Sequence, residues 1–85
     1  MWITETDIKT YLRERYPREY RRMSKTGELE RYAKSRKEQA EKYYQELMEQ
    51  YSMEHENGDD FMENVRNRKA AEAQARELVN EMIFN

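Results

Sequence analysis

The chain has 85 residues, of which 40% are charged and 36% are apolar, and it carries a formal net charge of −2. A chain this short forms one domain over residues 1–85 and buries only about 60 to 65% of the surface that its unfolded form exposes. It has no cysteine, which excludes disulfides, thiolate zinc sites and thiol nucleophiles. No apolar run approaches the roughly 20 residues of a membrane span, and no signal peptide pattern is present. We therefore expect a cytoplasmic protein without a membrane partner.

The first helix is predicted over residues 5–15. Thr4 and Asp7 have the spacing of a capping box, and Ile3 and Ile8 occupy the two positions of a hydrophobic staple. Pro17 lacks an N–H and disfavours a helical residue before it, so it ends this helix. The same proline suits the first turn of a second helix, which we predict over residues 17–24.

Two long helices follow. Thr26 and Gly27 offer a cap residue and a residue free of φ restriction, and no Gly or Pro then interrupts residues 28–54. Apolar residues recur there every three or four positions, stop at Asn57-Gly58-Asp59, and resume with the same period over residues 59–84. The predicted fold is all-α: a long antiparallel helical hairpin with two short N-terminal helices packed against it.

The apolar stripes of the two long helices predict the core. The third helix contributes Leu29, Tyr32, Ala33, Arg36, Ala40, Tyr43, Leu47 and Tyr51, flanked by Tyr44 and Met48. The fourth contributes Phe61, Met62, Val65, Ala71, Ala75, Leu78, Val79, Met82 and Ile83. Small residues facing large rings allow close packing of the two helices. Both stripes carry charges near their middles, Arg36 on one and Arg68 with Glu72 on the other. We expect each of these side chains either to reach solvent or to meet the first helix.

Charge is distributed unevenly along the chain. Residues 9–37 contain eleven Lys and Arg against four Glu, a net charge of +7, whereas residues 38–65 contain nine acidic residues against one Lys, a net charge of −8. A row of carboxylates can steer association with a positively charged groove on another protein. The candidate protein-binding residues are Glu41, Glu46, Glu49, Asp59, Asp60 and Glu63.

The basic segment interleaves arginines with tyrosines, a mixture that can hold phosphates and stack on bases. The candidate nucleic-acid-binding residues of this alternative are Arg13, Arg15, Arg18, Arg21 and Arg22. A sequence isoelectric point near 5.5 and the lack of a known nucleic-acid motif argue against a dedicated DNA-binding protein. In a further alternative, both charged runs are ordinary solvated faces with weak pairs such as Glu38 and Lys42.

A structural helical homodimer is a third possibility, because a short chain gains stability from an added interface. The apolar positions that could form it are Trp2, Met48 and Met53.

The sequence contains no pattern typical of a catalytic or metal site. His55, the sole histidine, lies beside the predicted turn without a partner His or Cys. Asp59, Asp60 and Glu63 lack the alternating ligands of a calcium loop, and acidic residues at a helix start are explained by capping and the helix dipole. We therefore expect a non-enzymatic binding protein with no cofactor and no metal.

From Tyr11 onward, the chain resembles TnpV, a small accessory protein encoded by bacterial transposons and related mobile elements. The matching pieces are Tyr11-Leu12 with Pro17 and Tyr20, Gly27-Glu28-Leu29 with Tyr32, Gln39-Ala40-Glu41, Arg68, Ala75-Arg76-Glu77-Leu78-Val79 and Glu81-Met82-Ile83-Phe84. The aromatic-containing leader that usually precedes this region in the family is shorter here, so a contact made by that leader would be lost.

The resemblance implies a mobile-element setting. Proteins of this family have been compared with excisionases, which would imply DNA binding beside a recombinase. Mobile elements also use small acidic helical proteins to block host defence nucleases, as anti-CRISPR proteins do by filling a basic nucleic-acid groove. The acidic run fits that second role better, so the expected partner is another protein, such as a host or phage nucleic-acid enzyme complex.

Overall fold

A computed structural model describes the backbone of residues 1–54 and 61–85 and the side chains of residues 1–52 and 66–85. These ranges contain four helices and no strand: α1 (Glu5–Arg15), α2 (Pro17–Thr26), α3 (Glu28–Glu54) and α4 (Phe61–Phe84). The all-α prediction is confirmed. The predicted turn at Asn57-Gly58-Asp59 and the predicted helix positions 59 and 60 lie outside the described residues, as does His55. None of the helices in these ranges combines the length and apolarity of a membrane span.

The start of α1 is the predicted capping box. The Thr4 hydroxyl accepts a hydrogen bond from the Asp7 N–H at 3.1 Å, and the Asp7 carboxylate accepts one from the Thr4 N–H at 3.0 Å. Ile3 and Ile8 are only 1% and 2% exposed, as a hydrophobic staple requires. The local sequence therefore determines both the residue at which α1 begins and the angle at which the preceding segment joins it.

The second helix is longer than the sequence predicts, since α2 ends at Thr26 and not at residue 24. Gly27 has a left-handed backbone with φ 79°, and its N–H donates to the Met23 carbonyl. The Thr26 hydroxyl donates to the same carbonyl at 3.3 Å. Thr26 therefore completes the last turn of α2 and does not cap α3, because Gly27 adopts the left-handed conformation that ends a helix.

The core lies where α1, α3 and α4 meet. Ala33, Ala40 and Val79 are inaccessible to solvent, and Ile83 is buried beside them. Partly buried residues of both predicted stripes pack against this cluster: Tyr32, Tyr43, Tyr44, Leu47 and Met82. The predicted core positions Phe61, Met62 and Val65 have side chains outside the described part of the chain.

The prediction that Leu78 belongs to the core is wrong, because this residue is 37% exposed. It lies one residue before the buried Val79, and successive residues of a helix are about 100° apart around its axis. This rotation turns Leu78 towards an open groove that it lines with Leu47 and Tyr51 of α3. The groove is therefore partly apolar.

Arg36 makes hydrogen bonds within α3 and to α4, where the sequence predicts contact with solvent or with α1. Its guanidinium donates to the Met82 carbonyl at 2.9 Å and to the Gln39 side chain at 2.8 Å. The last carbonyls of a helix lack partners within it, so Arg36 satisfies one of them at the end of α4. This contact fastens the first half of α3 to the last turn of α4.

The two short helices lie at the same end of the molecule. The Tyr11 ring of α1 meets the Phe84 ring at the end of α4, with 5.4 Å between centroids. An ion pair between Lys9 and Glu30 joins α1 to the beginning of α3. The molecule is a rod of 56 × 18 × 15 Å, in which α1 and α2 thicken one end.

Candidate binding surfaces

The predicted acidic site is only partly within the described side chains. Asp59, Asp60 and the side chain of Glu63 lie outside them. Glu46 and Glu49 are exposed on α3, and no ion pair or hydrogen bond joins either to another described side chain. Residues three apart lie on the same face of a helix, so these two carboxylates form one exposed acidic patch.

Glu41 does not belong to that patch. Its carboxylate pairs with Lys37 across one helical turn at 3.9 Å, and its side chain is half-buried. It lines a different surface, an open cleft beside Trp2. The structure thus separates Glu41 from Glu46 and Glu49, although all three belong to one run in the sequence.

The five predicted nucleic-acid-binding arginines are all exposed: Arg13 and Arg15 in the last turn of α1, and Arg18, Arg21 and Arg22 in α2. Two of them have partners. The Arg21 side chain donates to the Pro17 carbonyl at 3.4 Å, and Arg22 pairs with Glu19 at 2.6 Å and Glu28 at 3.5 Å. The hydrogen bond that Arg22 donates to the Glu19 carboxylate, together with the negative charge of Glu19, raises the pKa of Arg22 above its usual value.

These ion pairs leave an excess of positive charge at this end. Glu19 and Glu28 are bound to Arg22, and Glu30 is bound to Lys9. Of the four acidic residues between positions 9 and 37, only Glu14 is unpaired. Between positions 9 and 37, the cations that make no ion pair or hydrogen bond within the described residues are Arg13, Arg15, Arg18, Lys25, Arg31 and Lys34.

An aromatic ring is exposed among these cations. Tyr16 joins α1 to α2 and is 52% exposed. Its ring meets the edge of Tyr11 with 6.2 Å between centroids, and Tyr11 is in turn fixed by Phe84. An exposed aromatic ring beside Arg15 and Arg18 is the combination that can stack on a base while cations hold phosphates.

Trp2 makes contacts that the sequence does not predict. The sequence predicts an apolar position available for pairing, but Trp2 is partly buried and its indole N–H donates to Asn80 at 2.9 Å. Its ring meets Tyr44 edge-on, with 5.1 Å between centroids, and the Arg76 guanidinium lies 4.9 Å from the ring centre. The adjacent Ile3 is a residue of the hydrophobic staple, and this is the local sequence feature that indicates that the segment before α1 packs against the rest of the protein.

An open cleft of about 610 Å³ lies beside Trp2, with Glu41 and Glu72 on its walls. The residues that line this cleft include charged, polar and aromatic side chains. Within the described ranges, no cluster of three or more His, Asp or Glu residues could hold a metal ion, and every buried polar side-chain atom there has a hydrogen-bond partner.

The other two apolar positions predicted for pairing give no clear interface. Met48 is partly buried and lines a shallow groove with Tyr44 and Arg68. Met53 has a side chain outside the described residues. A homodimer through these positions stays a prediction.

Comparison with known proteins identifies the family. The profile described as "Transposon-encoded protein TnpV" matches residues 6–84. No curated protein and no solved structure matches the chain. Because the profile covers nearly the whole chain, the resemblance noted in the sequence is confirmed: the protein belongs to the TnpV family of transposon-encoded proteins.

Proposed function

We propose that this protein is a non-enzymatic binding protein of a mobile genetic element, and that it acts by contact with another protein through the acidic half of α3. The observation that carries the proposal is the exposed pair Glu46 and Glu49, to which no described side chain supplies a cation. Exposed carboxylates of this kind steer association with a basic surface. The family membership supplies the mobile-element setting.

We also propose that α3 and α4 form an antiparallel hairpin with α1 and α2 packed across its open end. Two contacts support this arrangement. Arg36, early in α3, reaches Met82 near the end of α4, whereas Tyr51, late in α3, lines a groove with Asn67 near the start of α4. A hairpin of this kind holds the acidic patch on a straight helix, so its carboxylates keep a fixed spacing.

The partner chemistry that fits this patch is a basic groove that otherwise holds nucleic acid. In the proposed action, the carboxylates of α3 occupy cationic sites of a cytoplasmic host or phage nuclease complex and compete with its nucleic acid. Binding of this type weakens as salt screens the charges, since the patch is exposed. Asp59, Asp60 and Glu63, which the sequence also predicts to bind a protein, have side chains outside the described part of the chain.

The test is a matched pair of charge reversals. Glu46→Lys with Glu49→Lys changes the proposed patch, while Glu77→Lys with Glu81→Lys makes the same charge change at exposed positions of α4. Partners are captured from nuclease-treated host lysate, identified by mass spectrometry, and titrated as purified proteins. The α3 variant is expected to weaken binding at least about tenfold and the α4 variant to retain it. Equal binding by both variants would refute docking through α3.

Nucleic-acid binding by the basic end is the second candidate. It is favoured by one specific observation: pairing of Glu19, Glu28 and Glu30 within the protein leaves Arg13 and Arg18 free for phosphates near the exposed Tyr16. Such contacts would be strongly salt-dependent.

Fluorescence anisotropy with labelled duplex and single-stranded DNA, at low and at moderate salt, tests this candidate. Arg13→Glu with Arg18→Glu is expected to abolish binding, and Tyr16→Ala to weaken single-strand binding preferentially. Arg66→Glu with Lys69→Glu on α4 is the control with the same change of charge. No binding by the unaltered protein at micromolar concentration in low salt would remove the candidate.

A further inference from the structure

The outer face of α3 carries six charged residues that make no ion pair or hydrogen bond within the described part of the chain. This face lies opposite Ala40, which is 0% exposed and points into the core. All six side chains are exposed: Arg31, Lys34, Glu38, Lys42, Glu46 and Glu49. Neighbouring opposite charges four residues apart, such as Lys34 and Glu38, are not within ion-pair distance of each other.

The positions of these six residues are symmetric about Ala40, and the two residues of each symmetric pair have opposite charges. Residues nine, six and two positions before Ala40 have partners at the same distances after it, and each such pair joins a cation to an anion. The pairs are Arg31 with Glu49, Lys34 with Glu46, and Glu38 with Lys42. On the same face, the uncharged Ser35 and Gln45 are also equally distant from Ala40 and exposed.

We propose that two copies of this chain pair through the outer faces of α3, antiparallel and about a two-fold axis at Ala40. The two-fold axis pairs positions of the two copies by their distance from Ala40. For example, a residue nine positions before Ala40 in one copy lies level with the residue nine positions after Ala40 in the other. Arg31 of one copy then stands opposite Glu49 of the other, and Glu38 stands opposite Lys42, because these four positions lie near the centre line of the face at about 100° per residue. Lys34 and Glu46 reach the same height but lie at opposite edges of the face.

The charges also disfavour parallel pairing of the two α3 helices in register. A parallel arrangement in register would bring Arg31 against Arg31 and Glu49 against Glu49. Like charges held in contact are unfavourable, and this discrimination determines the pairing direction. Because each exposed ion pair contributes little by itself, the dimer depends on its four central contacts together, each of the two pairs occurring twice, and is sensitive to salt.

This pairing goes beyond the proposed partner binding and stands without it. The two share Glu46 and Glu49, so a dimer conceals the patch that a basic partner would contact. Partner binding and self-pairing therefore compete for the same face.

A charge-exchange experiment tests the proposal. By sedimentation equilibrium at low salt, the unaltered protein is expected to approach twice its mass of 10.6 kDa and to dissociate as salt is added. Arg31→Glu alone and Glu49→Arg alone place like charges opposite each other, so each is expected to weaken the dimer at least about tenfold. An equimolar mixture of the two variants restores opposite charges at both positions and is expected to dimerise again.

The mixture separates self-pairing from other binding, because it does not restore the acidic patch on the Glu49→Arg copy. As a control, Arg18→Glu and Glu81→Arg make the same changes outside the face and are expected to leave the dimer unchanged. A single-chain mass at all salt concentrations would overturn the proposal. So would a dimer that neither reversal weakens, or two weakened variants whose mixture stays monomeric.

The pairing direction is tested without altering any charge on the face. The chain has no cysteine, so Ser52→Cys places a unique spin label at an exposed position of α3. In the antiparallel pair the two labels lie about 36 Å apart along the helix axis, at about 1.5 Å per residue. Labels in side-by-side contact would indicate parallel pairing and refute the proposal.

Discussion

At the scale of single residues, Trp2 joins elements that are far apart in the sequence. Its ring contacts Tyr44 of α3 and Arg76 of α4, and its N–H binds Asn80 of α4. An aromatic ring buries a large apolar area and, when paired edge-on, adds to the packing energy. Trp2 therefore holds the segment before α1 across both long helices.

Trp2→Ala should lower the free energy of unfolding by about 2 kcal/mol, because it removes a partly buried ring and leaves Asn80 without its donor. Denaturant titration followed by far-UV circular dichroism measures the change. Tyr16→Ala removes an exposed ring and is the control, with a much smaller expected effect. Equal losses for the two variants would contradict the role of Trp2.

Gly27→Ala should destabilise the protein by about 1 kcal/mol, because an L side chain is unfavourable in the left-handed region. A Cβ at this position would meet no atom within 4 Å, so crowding contributes nothing and the backbone conformation is the sole cause. Thermal unfolding should show a midpoint lower by about 4 to 8 °C. Gly27→Asn should lose less, since Asn adopts this conformation more readily; a larger loss for Asn than for Ala would contradict this explanation.

At the scale of the elements, α3 has two faces with different tasks. Ala33 and Ala40 allow α3 to pack closely against its neighbours in the core, because small residues let helix backbones approach. The opposite face carries exposed charges of both signs. One helix thus provides both the core contact and the candidate binding surface.

Ala40→Leu should destabilise the protein by about 1 to 3 kcal/mol, because a larger side chain must be forced into a filled core. Gln39→Leu introduces the same side chain one residue away at an exposed position and should change stability by no more than about 0.5 kcal/mol. Chemical denaturation of both variants gives the comparison. A neutral Ala40→Leu would show that α3 is not tightly packed at this point.

At the scale of the whole molecule, one end of the rod carries an excess of basic side chains. At this end, three of the four Glu residues between positions 9 and 37 form ion pairs with Lys or Arg. On the outer face of α3, Glu46 and Glu49 are exposed and form no ion pair within the described residues. Exposed charges that lack internal partners are available to other molecules. This distribution underlies both the proposed partner binding and the proposed self-pairing.

The thermal midpoint should rise with protein concentration at low salt and become independent of concentration at high salt, because association stabilises the folded chain by mass action. Circular dichroism melting at two protein concentrations and two salt concentrations measures this dependence. The Arg31→Glu variant should show a smaller dependence on concentration at low salt than the unaltered protein, because its dimer is weaker. A concentration-independent midpoint of the unaltered protein at low salt would contradict self-pairing.

The helices could be predicted because their signals act over a few residues. The capping box at Thr4, the break at Pro17 and the left-handed Gly27 are local features, and the periodic alanines identify the buried side of α3. The end of α2 was mispredicted by two residues, because Thr26 can either finish one helix or cap the next. The choice depended on the backbone conformation of Gly27.

The helical class, the family and the uneven distribution of charge follow from the order of residues, since composition, periodicity and motif order do not depend on long-range contacts. Which charges remain unpaired, where Arg36 and Trp2 bind, and that Leu78 faces a groove all depend on how the helices pack. These features depend on residues from different helices meeting in space. The spacing of residues along one helix predicts its faces, whereas the contacts between helices determine which of those faces stay exposed.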